Sequence, residues 1–358
     1  MKPLTQLVGV TRMALLLSTS VLLGACGGSP KTWNGPTSAS GGPLLQRVFI
    51  AEHPPFPESH ASTLAETSDG VLAAWFGGTE EKHTDVCIWT ARFDGRKWSE
   101  PLQAADGVQP DGRTRHPCWN PVLHQTPKGR LLLFYKVGPS PSTWWGMLKT
   151  STDAGRTWSV AHRLPEGQAG PIRNKAVTLP DGSLLCPSSS EDNGWRVHME
   201  RTADLGLTWD RTDALNTREE FGAIQPTILQ WPNGSTQILN RSRQKVITEN
   251  WMIEKDWRRW TPMARTTLPN PNSGIDGLVL QDGRGLLVFN DSAQKRTPIS
   301  VALSSDGKLW KTALVLEDVA DGELSYPAVI QTRDAMVHIS YTWKRKTIRH
   351  IILDPSRL

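Results

Sequence analysis

Tyr326, His60 and five cations, Lys136, Arg173, Arg241, Arg243 and Arg296, stand at related places in a repeating sequence. Arginine offers a planar fork of donors that matches a carboxylate, and lysine adds a point charge, so convergent cations point to an anionic ligand. Any one of them is as readily an ion pair between neighbouring strands; five together favour a site. His60 carries a side chain that ordinarily titrates near neutrality, and is expected to act as general acid or base, the alternative being a structural histidine at a strand end. Tyr326 is a second proton-transfer group, or else a packed phenol with a bonded hydroxyl. Glu80, Glu81 and Asp85 follow Gly77-Gly78-Thr79 in one loop and are the candidate acid/base carboxylates, with Glu80 and Asp85 foremost. Asn120, Gln225, Asn272 and Asp276 supply hydrogen-bonding groups for a substrate. Trp145, adjacent to Trp144, offers a stacking face for a sugar, because two neighbouring tryptophans cannot both point inward from one strand.

The elements that must position these groups come from an internal repeat. A tight-turn pair recurs as Asp69-Gly70, Lys128-Gly129, Asp181-Gly182, Asn233-Gly234, Asp282-Gly283 and, degenerate, Asp334-Ala335. Such pairs supply the φ > 0 geometry of a hairpin. Six turns at intervals of about fifty residues imply six similar units, the period of propeller blades. In step with them runs a second marker, Ser151-Thr152-Asp153-Ala154-Gly155-Arg156-Thr157-Trp158, matched by Thr202 to Trp209, shortened at Ser304 to Trp310 and eroded at Asp94 to Trp98 and Asp256 to Trp260. Here Asp caps a turn, Gly takes a left-handed position and Trp packs between units, so these residues are structural. Eight residues before each turn lie Ala61, Asn120, Arg173, Gln225, Gly274 and Tyr326; eight after it lie Gly77, Lys136, Ser189, Arg241, Asn290 and Thr342. Two mostly polar rings at the ends of core strands predict a ligand-binding mouth, with Glu191 and Arg243 just beyond the second.

The Ser-x-Asp-x-Gly-x-Thr-Trp pattern is the Asp box, and on it the chain resembles the sialidase superfamily of bacterial neuraminidase repeat propellers, over nearly all of residues 47–358. The resemblance implies an all-β fold, a six-bladed β-propeller with four-stranded antiparallel blades, Arg47 to Ala51 adding the outer strand that closes the last blade. It also implies activity on carbohydrate. Sialidases hold a sialic-acid carboxylate with three arginines, use a tyrosine nucleophile assisted by a glutamate, and use an aspartate as acid/base. Arg241 resembles the second arginine, Arg296 the third, and Tyr326, in Leu324-Ser325-Tyr326-Pro327, the nucleophile. The first blade departs from the pattern, with Ser59-His60-Ala61-Ser62 where an arginine belongs, and Gln225-Pro226 stands where a glutamate would precede proline. The expected activity is that of an exo-acting, sialidase-type glycosidase removing a terminal, acidic sugar. A uronate lyase or rhamnosidase-like enzyme using His60, a non-catalytic glycan-binding propeller and a protein-binding scaffold remain as alternatives.

The ends and composition set the rest. Lys2 and Arg12 precede the apolar run Met13 to Leu23, too short to span a bilayer and shaped as an export signal. It ends in Leu23-Gly24-Ala25-Cys26, a lipobox, so residues 1–25 are expected to be a signal peptide and Cys26 a lipidated N-terminus at the cell envelope. Residues 26–44 read as a flexible tether and 45–358 as the propeller. The formal charge of +5 becomes +3 once Lys2 and Arg12 are removed, too diffuse for nucleic acid. Cys87, Cys118 and Cys186 lack metal-ligand spacing and permit at most one disulfide; no metal or organic cofactor is expected.

Overall fold

The computed structural model describes Met1 and residues 41–358; the signal region, Cys26 and most of the tether lie outside the described residues. The remainder is a β-propeller of six antiparallel sheets. Blade 1 holds strands Glu58–Thr67, Gly70–Gly78, Cys87–Phe93 and Leu102–Ala105, counted outward from the axis. Blade 2 holds Cys118–Gln125, Leu131–Val137, Trp145–Ser151 and His162–Arg163, and blade 3 Val177–Thr178, Leu184–Ser190, Arg196–Thr202 and Asp210–Arg211. In blade 4, Ala223–Gln230, Thr236–Ser242 and Val246–Ile253 are followed by two strands, Asp256–Trp260 and Ala264–Pro269, that both pair with Val246–Ile253. Blade 5 holds Asp276–Val279, Gly285–Asn290, Ile299–Ser304 and Lys311–Glu317. Blade 6 holds Leu324–Gln331, Val337–Trp343 and Thr347–Leu353, and its outer strand is Leu44–Phe49, pairing Val48 with His350, so the ring closes as expected.

The second strands show why the sequence folds this way. Leu131–Val137 reads LLLFYKV and every residue is buried, because each blade packs a neighbour on both faces and alternation gives way to a continuous apolar run. The Asp boxes do what their residues predict. Asp153 accepts from the amides of Arg156 and Thr157 and from the hydroxyls of Ser151 and Thr157, and Ala154 and Gly155 both take positive φ (61° and 83°). Trp158 packs against the core shared by blades 1 and 2. Asp256 to Trp260 is a correction: it is not an eroded box but a strand, entered through a hairpin in which Glu254 and Lys255 have φ of 53° and 58°. Cys87, Cys118 and Cys186 are buried and form no disulfide among the described residues.

Candidate functional site

The first ring owes its geometry to a shared backbone device. Ala61, Asn120, Gln225 and Tyr326 have φ of 54°, 38°, 56° and 54°, and Arg173 has 149°. In blades 1, 2, 4 and 6 the inner strand slips register at that residue, between His60 and Thr63, Trp119 and Val122, Ile224 and Thr227, and Ser325 and Ala328. A left-handed non-glycine residue costs roughly 1–2 kcal/mol, so a bulge repeated around one face marks where side chains must be re-aimed. Blade 5 has Gly274 instead, and a Cβ there would stand 3.3 Å from the Tyr326 ring and 3.5 Å from Arg173 Nε.

Tyr326 is the centre of the mouth. Its hydroxyl accepts from Arg241 Nη1 at 2.5 Å, its ring lies 4.2 Å from the His60 ring, and the guanidiniums of Arg173, Arg241 and Arg296 approach it at 5.3, 5.5 and 5.8 Å. Arg241 also donates to Gln225 Oε1 (3.1 Å) and Asn272 Oδ1 (2.8 Å), and Arg296 to the Asn272 carbonyl (3.1 Å), so Asn272 orients two arginines. Buried Arg173 donates to the carbonyls of Ser62 and Pro327 and to Asn174 Oδ1. The direct acceptors of Arg173 and Arg241 are thus all neutral, although both side chains are buried. Buried guanidiniums without a carboxylate are costly and favour a bound anion.

His60 is corrected by its surroundings. It is 3 % exposed, and burial together with Arg345, Arg296, Arg173 and Arg241 pushes its pKa well below the usual 6.5, so it is neutral rather than poised at neutrality. Its Nδ1 is buried without a hydrogen-bond partner. The loop carboxylates divide. Glu80 is exposed. Burial pushes Asp85 up, but hydrogen bonds from Thr79 (Oγ1 at 2.6 Å, N at 3.0 Å) and the His83 contact outweigh it, leaving an ionised group that holds its own loop. Glu81 pairs with Arg345.

Other expected residues fall elsewhere. Lys136 is fully buried and donates to the Pro171 carbonyl at 2.7 Å, joining blades 2 and 3; burial lowers its pKa to about 7. Asp276 accepts from Lys175 Nζ, Thr227 Oγ1 and the Val329 amide, tying blades 3 to 6 beneath the mouth, and so has no capacity left for a sugar. Asn120 holds its ring position in blade 2 and is buried. Arg243 lies 4.3 Å over the Trp195 ring, which Arg241 also faces at 5.1 Å. Trp145 is half-buried under Arg163 (4.6 Å) and beside His116.

The second ring has a meaning the period alone did not give. Thr342 accepts from the Ala61 amide, Ser189 from the Gln225 amide, and Asn290 donates to the Leu324 carbonyl, each reaching the next blade. Polarity there serves mainly to lock blade to blade, and Arg241 is the member that enters the mouth. Sequence reasoning missed Glu323, which accepts from Arg296 (3.0 Å) and Arg345 (2.9 Å). It named Glu191 without a role: burial raises that carboxyl despite the nearby Arg241 and Arg243.

Comparison with known proteins agrees with this architecture. Residues 69–339 match the family of BNR repeat-like domains. Among solved structures the chain is similar to a Hadza microbial sialidase (16 % identity, TM-score 0.73, 88 % of this chain and 69 % of that one). It is also similar to a leech intramolecular trans-sialidase complexed with 2,7-anhydro-Neu5Ac (13 %, 0.68, 88 % and 70 %). A third is a Penicillium chrysogenum α-L-arabinanase complexed with arabinobiose (15 %, 0.65, 88 % and 99 %). No curated protein sequence matches. With six blades, Asp boxes and a family match over most of its length, the chain belongs to the BNR repeat-like domain family, as a divergent member with the propeller fold of the sialidases.

Proposed function

We propose that this propeller is an exo-acting, carbohydrate-active enzyme of glycosidase type whose substrate ends in an acidic sugar. The observation that carries the reading is a phenol, Tyr326, packed on His60 and surrounded by Arg173, Arg241 and Arg296, two of them buried without a carboxylate partner. A substrate carboxylate would neutralise the arginines, which are among the charges that suppress His60, so an acidic sugar restores part of the basicity that its own removal of the phenol proton requires. In hydrolysis the Tyr326 oxygen bonds to the anomeric carbon as the glycosidic bond breaks, its proton passing to His60. Glu191, whose carboxyl burial holds above its ordinary range, gives a proton to the leaving oxygen; water then attacks the anomeric carbon and passes a proton to Glu191, while the Tyr326 oxygen leaves and takes its proton back from His60.

Gln225 favours a second reading. An amide beside Tyr326 cannot take its proton, and β-elimination needs no carboxylate there: His60 removes the proton next to a uronate carboxylate held by the arginines, the C4–C5 double bond forms as the C4–O bond breaks, and the Tyr326 hydroxyl gives its proton to the departing oxygen. Incubation with sialosides and uronate-containing glycans, followed by mass analysis and ultraviolet absorbance, distinguishes the two: hydrolysis adds water, whereas elimination leaves a conjugated double bond. Absence of any product with every acidic glycan would remove both. We also propose, from the lipobox alone, that the chain is exported and anchored to the cell envelope through Cys26, with its mouth presented to extracellular or periplasmic glycan.

A further inference from the structure

The bulges at the mouth each take two residues out of the strand pairing: Ala61-Ser62 in blade 1, Asn120-Pro121 in blade 2, Gln225-Pro226 in blade 4 and Tyr326-Pro327 in blade 6. Buried carbonyls released from a ladder must find other donors. Blade 3 supplies them. Its inner strand is only Val177–Thr178, so Arg173, Asn174 and Lys175 precede the ladder and their side chains reach other blades. Arg173 donates to the carbonyls of Ser62 (3.5 Å) and Pro327, and Asn174 Nδ2 to those of Gln225 and Pro226 (3.0 Å each). Lys175 donates to Asp276 Oδ1 and the Gly277 carbonyl (2.8 Å each). Three consecutive side chains of blade 3 thus hold blades 1, 4, 5 and 6.

Asn174 is the joint of this group. It is buried, and its partners fix the orientation of its amide: the two carbonyls can face only Nδ2, and the Arg173 guanidinium, at 3.3 Å, only Oδ1. Two routes lead from it to Tyr326. On one, Gln225, whose backbone Asn174 holds, accepts from Arg241 through Oε1 (3.1 Å), and Arg241 donates to the Tyr326 hydroxyl (2.5 Å). On the other, Arg173 bridges Asn174 Oδ1 to the carbonyl of Pro327, the residue after Tyr326. The two routes close a ring that holds the phenol at its oxygen and at its backbone.

We propose that Asn174 is a positioning residue for Tyr326, acting through Gln225 and Arg173 rather than on a sugar. It sets where the phenol stands by holding the bulge of blade 4 and, through Arg173, that of blade 6. The inference rests on the reading of Tyr326 as the reacting phenol and adds to it the residue that keeps the hydroxyl in place.

The test is fluorine NMR of the full chain labelled with 3-fluorotyrosine, beside steady-state kinetics. The chain has three tyrosines, and Tyr135 and Tyr341 lie in the cores of blades 2 and 6. Their resonances report an intact fold, while that of Tyr326, assigned through Tyr326→Phe, reports the mouth. Wild type should give one narrow Tyr326 line. Asn174→Leu removes both arms of the joint, and Asn174→Asp keeps the acceptor for Arg173 but, as a carboxylate, cannot donate to the two carbonyls. Each should shift or split the Tyr326 line and leave the other two in place. On 3′-sialyllactose and a glucuronate-containing oligosaccharide, with products read by mass, the same variants should lower kcat roughly 100-fold on whichever substrate wild type cleaves. That is the cost of misplacing a reacting group by about 1 Å, and KM should change little. A Tyr326 line unmoved in both variants, equal disturbance of all three lines, or a raised KM with kcat unchanged would overturn the role of Asn174. A wild type inactive on both substrates, with the Tyr326 line still moved by the variants, would retain the positioning and contradict the reading of the phenol as a reacting group.

Discussion

Arg241 hydrogen-bonds a phenol, a glutamine amide and an asparagine amide, and its own side chain is only 6 % exposed. Tyr326 is the member of that set with reactive chemistry. Tyr326→Phe keeps the ring and removes the hydroxyl that accepts from Arg241, so it should lower turnover roughly 100-fold or more, the scale of a lost proton-transfer group, at a cost in stability of about 1–3 kcal/mol that leaves the protein folded. Steady-state kinetics beside a thermal melt check it. His60 supplies a second expectation. As a base it must be neutral, and its pKa in the free enzyme lies well below 6.5, so the acid limb of kcat/KM should fall below pH 6.5. An acid limb at or above 6.5 would mean that His60 is not the base. The mouth residues Arg241, Arg296 and Tyr326 were legible because the repeat aligns them. Glu323 and Arg345 were not, since neither sits at a repeated position and a hairpin-tip arginine looks like any solvated charge.

At the scale of the element, the six turns test the repeat directly. Five have glycine at the left-handed position, and Ala335 takes φ 67° in the sixth. Relief of that strain exceeds the extra chain entropy of glycine, so Ala335→Gly should stabilise the protein by about 1 kcal/mol, read from the shift of the denaturation midpoint. The seam between blades 6 and 1 is expected to be acid-sensitive. Trp98 Nε1 donates to His350 Nδ1 (3.2 Å), so His350 Nε2 bears the proton shared with His338 Nδ1 (3.1 Å). Burial lowers His338 to about 4 and His350 further. Above pH 6.5 both folded and unfolded chains keep these rings neutral and they add nothing. As pH falls from 6.5 towards about 4 the unfolded chain takes up protons that the fold excludes, and stability declines. Urea midpoints across that range should fall, and fall less steeply in His338→Phe. Polarity at strand ends was visible in the sequence, but its purpose was not: Lys136 facing a carbonyl of the next blade and Arg241 facing a phenol look alike until the blades are assembled.

The whole molecule depends on a strand from one end of the described chain completing a sheet from the other. Removing residues 44–49 would leave Thr347–Leu353 as an open edge beside the seam, and such a chain should aggregate where the full chain does not, as gel filtration would show. The propeller itself was readable from six turns and two good boxes, because closure demands one period throughout. The proposed anchor makes a separate prediction: Cys26→Ala should move the protein from the membrane to the soluble fraction, and persistence in the membrane fraction would contradict lipidation at that residue. The claim that joins these scales is that the arginine-lined mouth turns over a glycan through the charge of its last sugar. The direct measurement is the release of that sugar from an acidic oligosaccharide and from the same oligosaccharide with its carboxyl reduced to an alcohol. Release from the acidic form, slower by roughly 100-fold or more from the reduced form as befits a lost charged contact, is the predicted result; equal release from the two, or release from the reduced form alone, would contradict it.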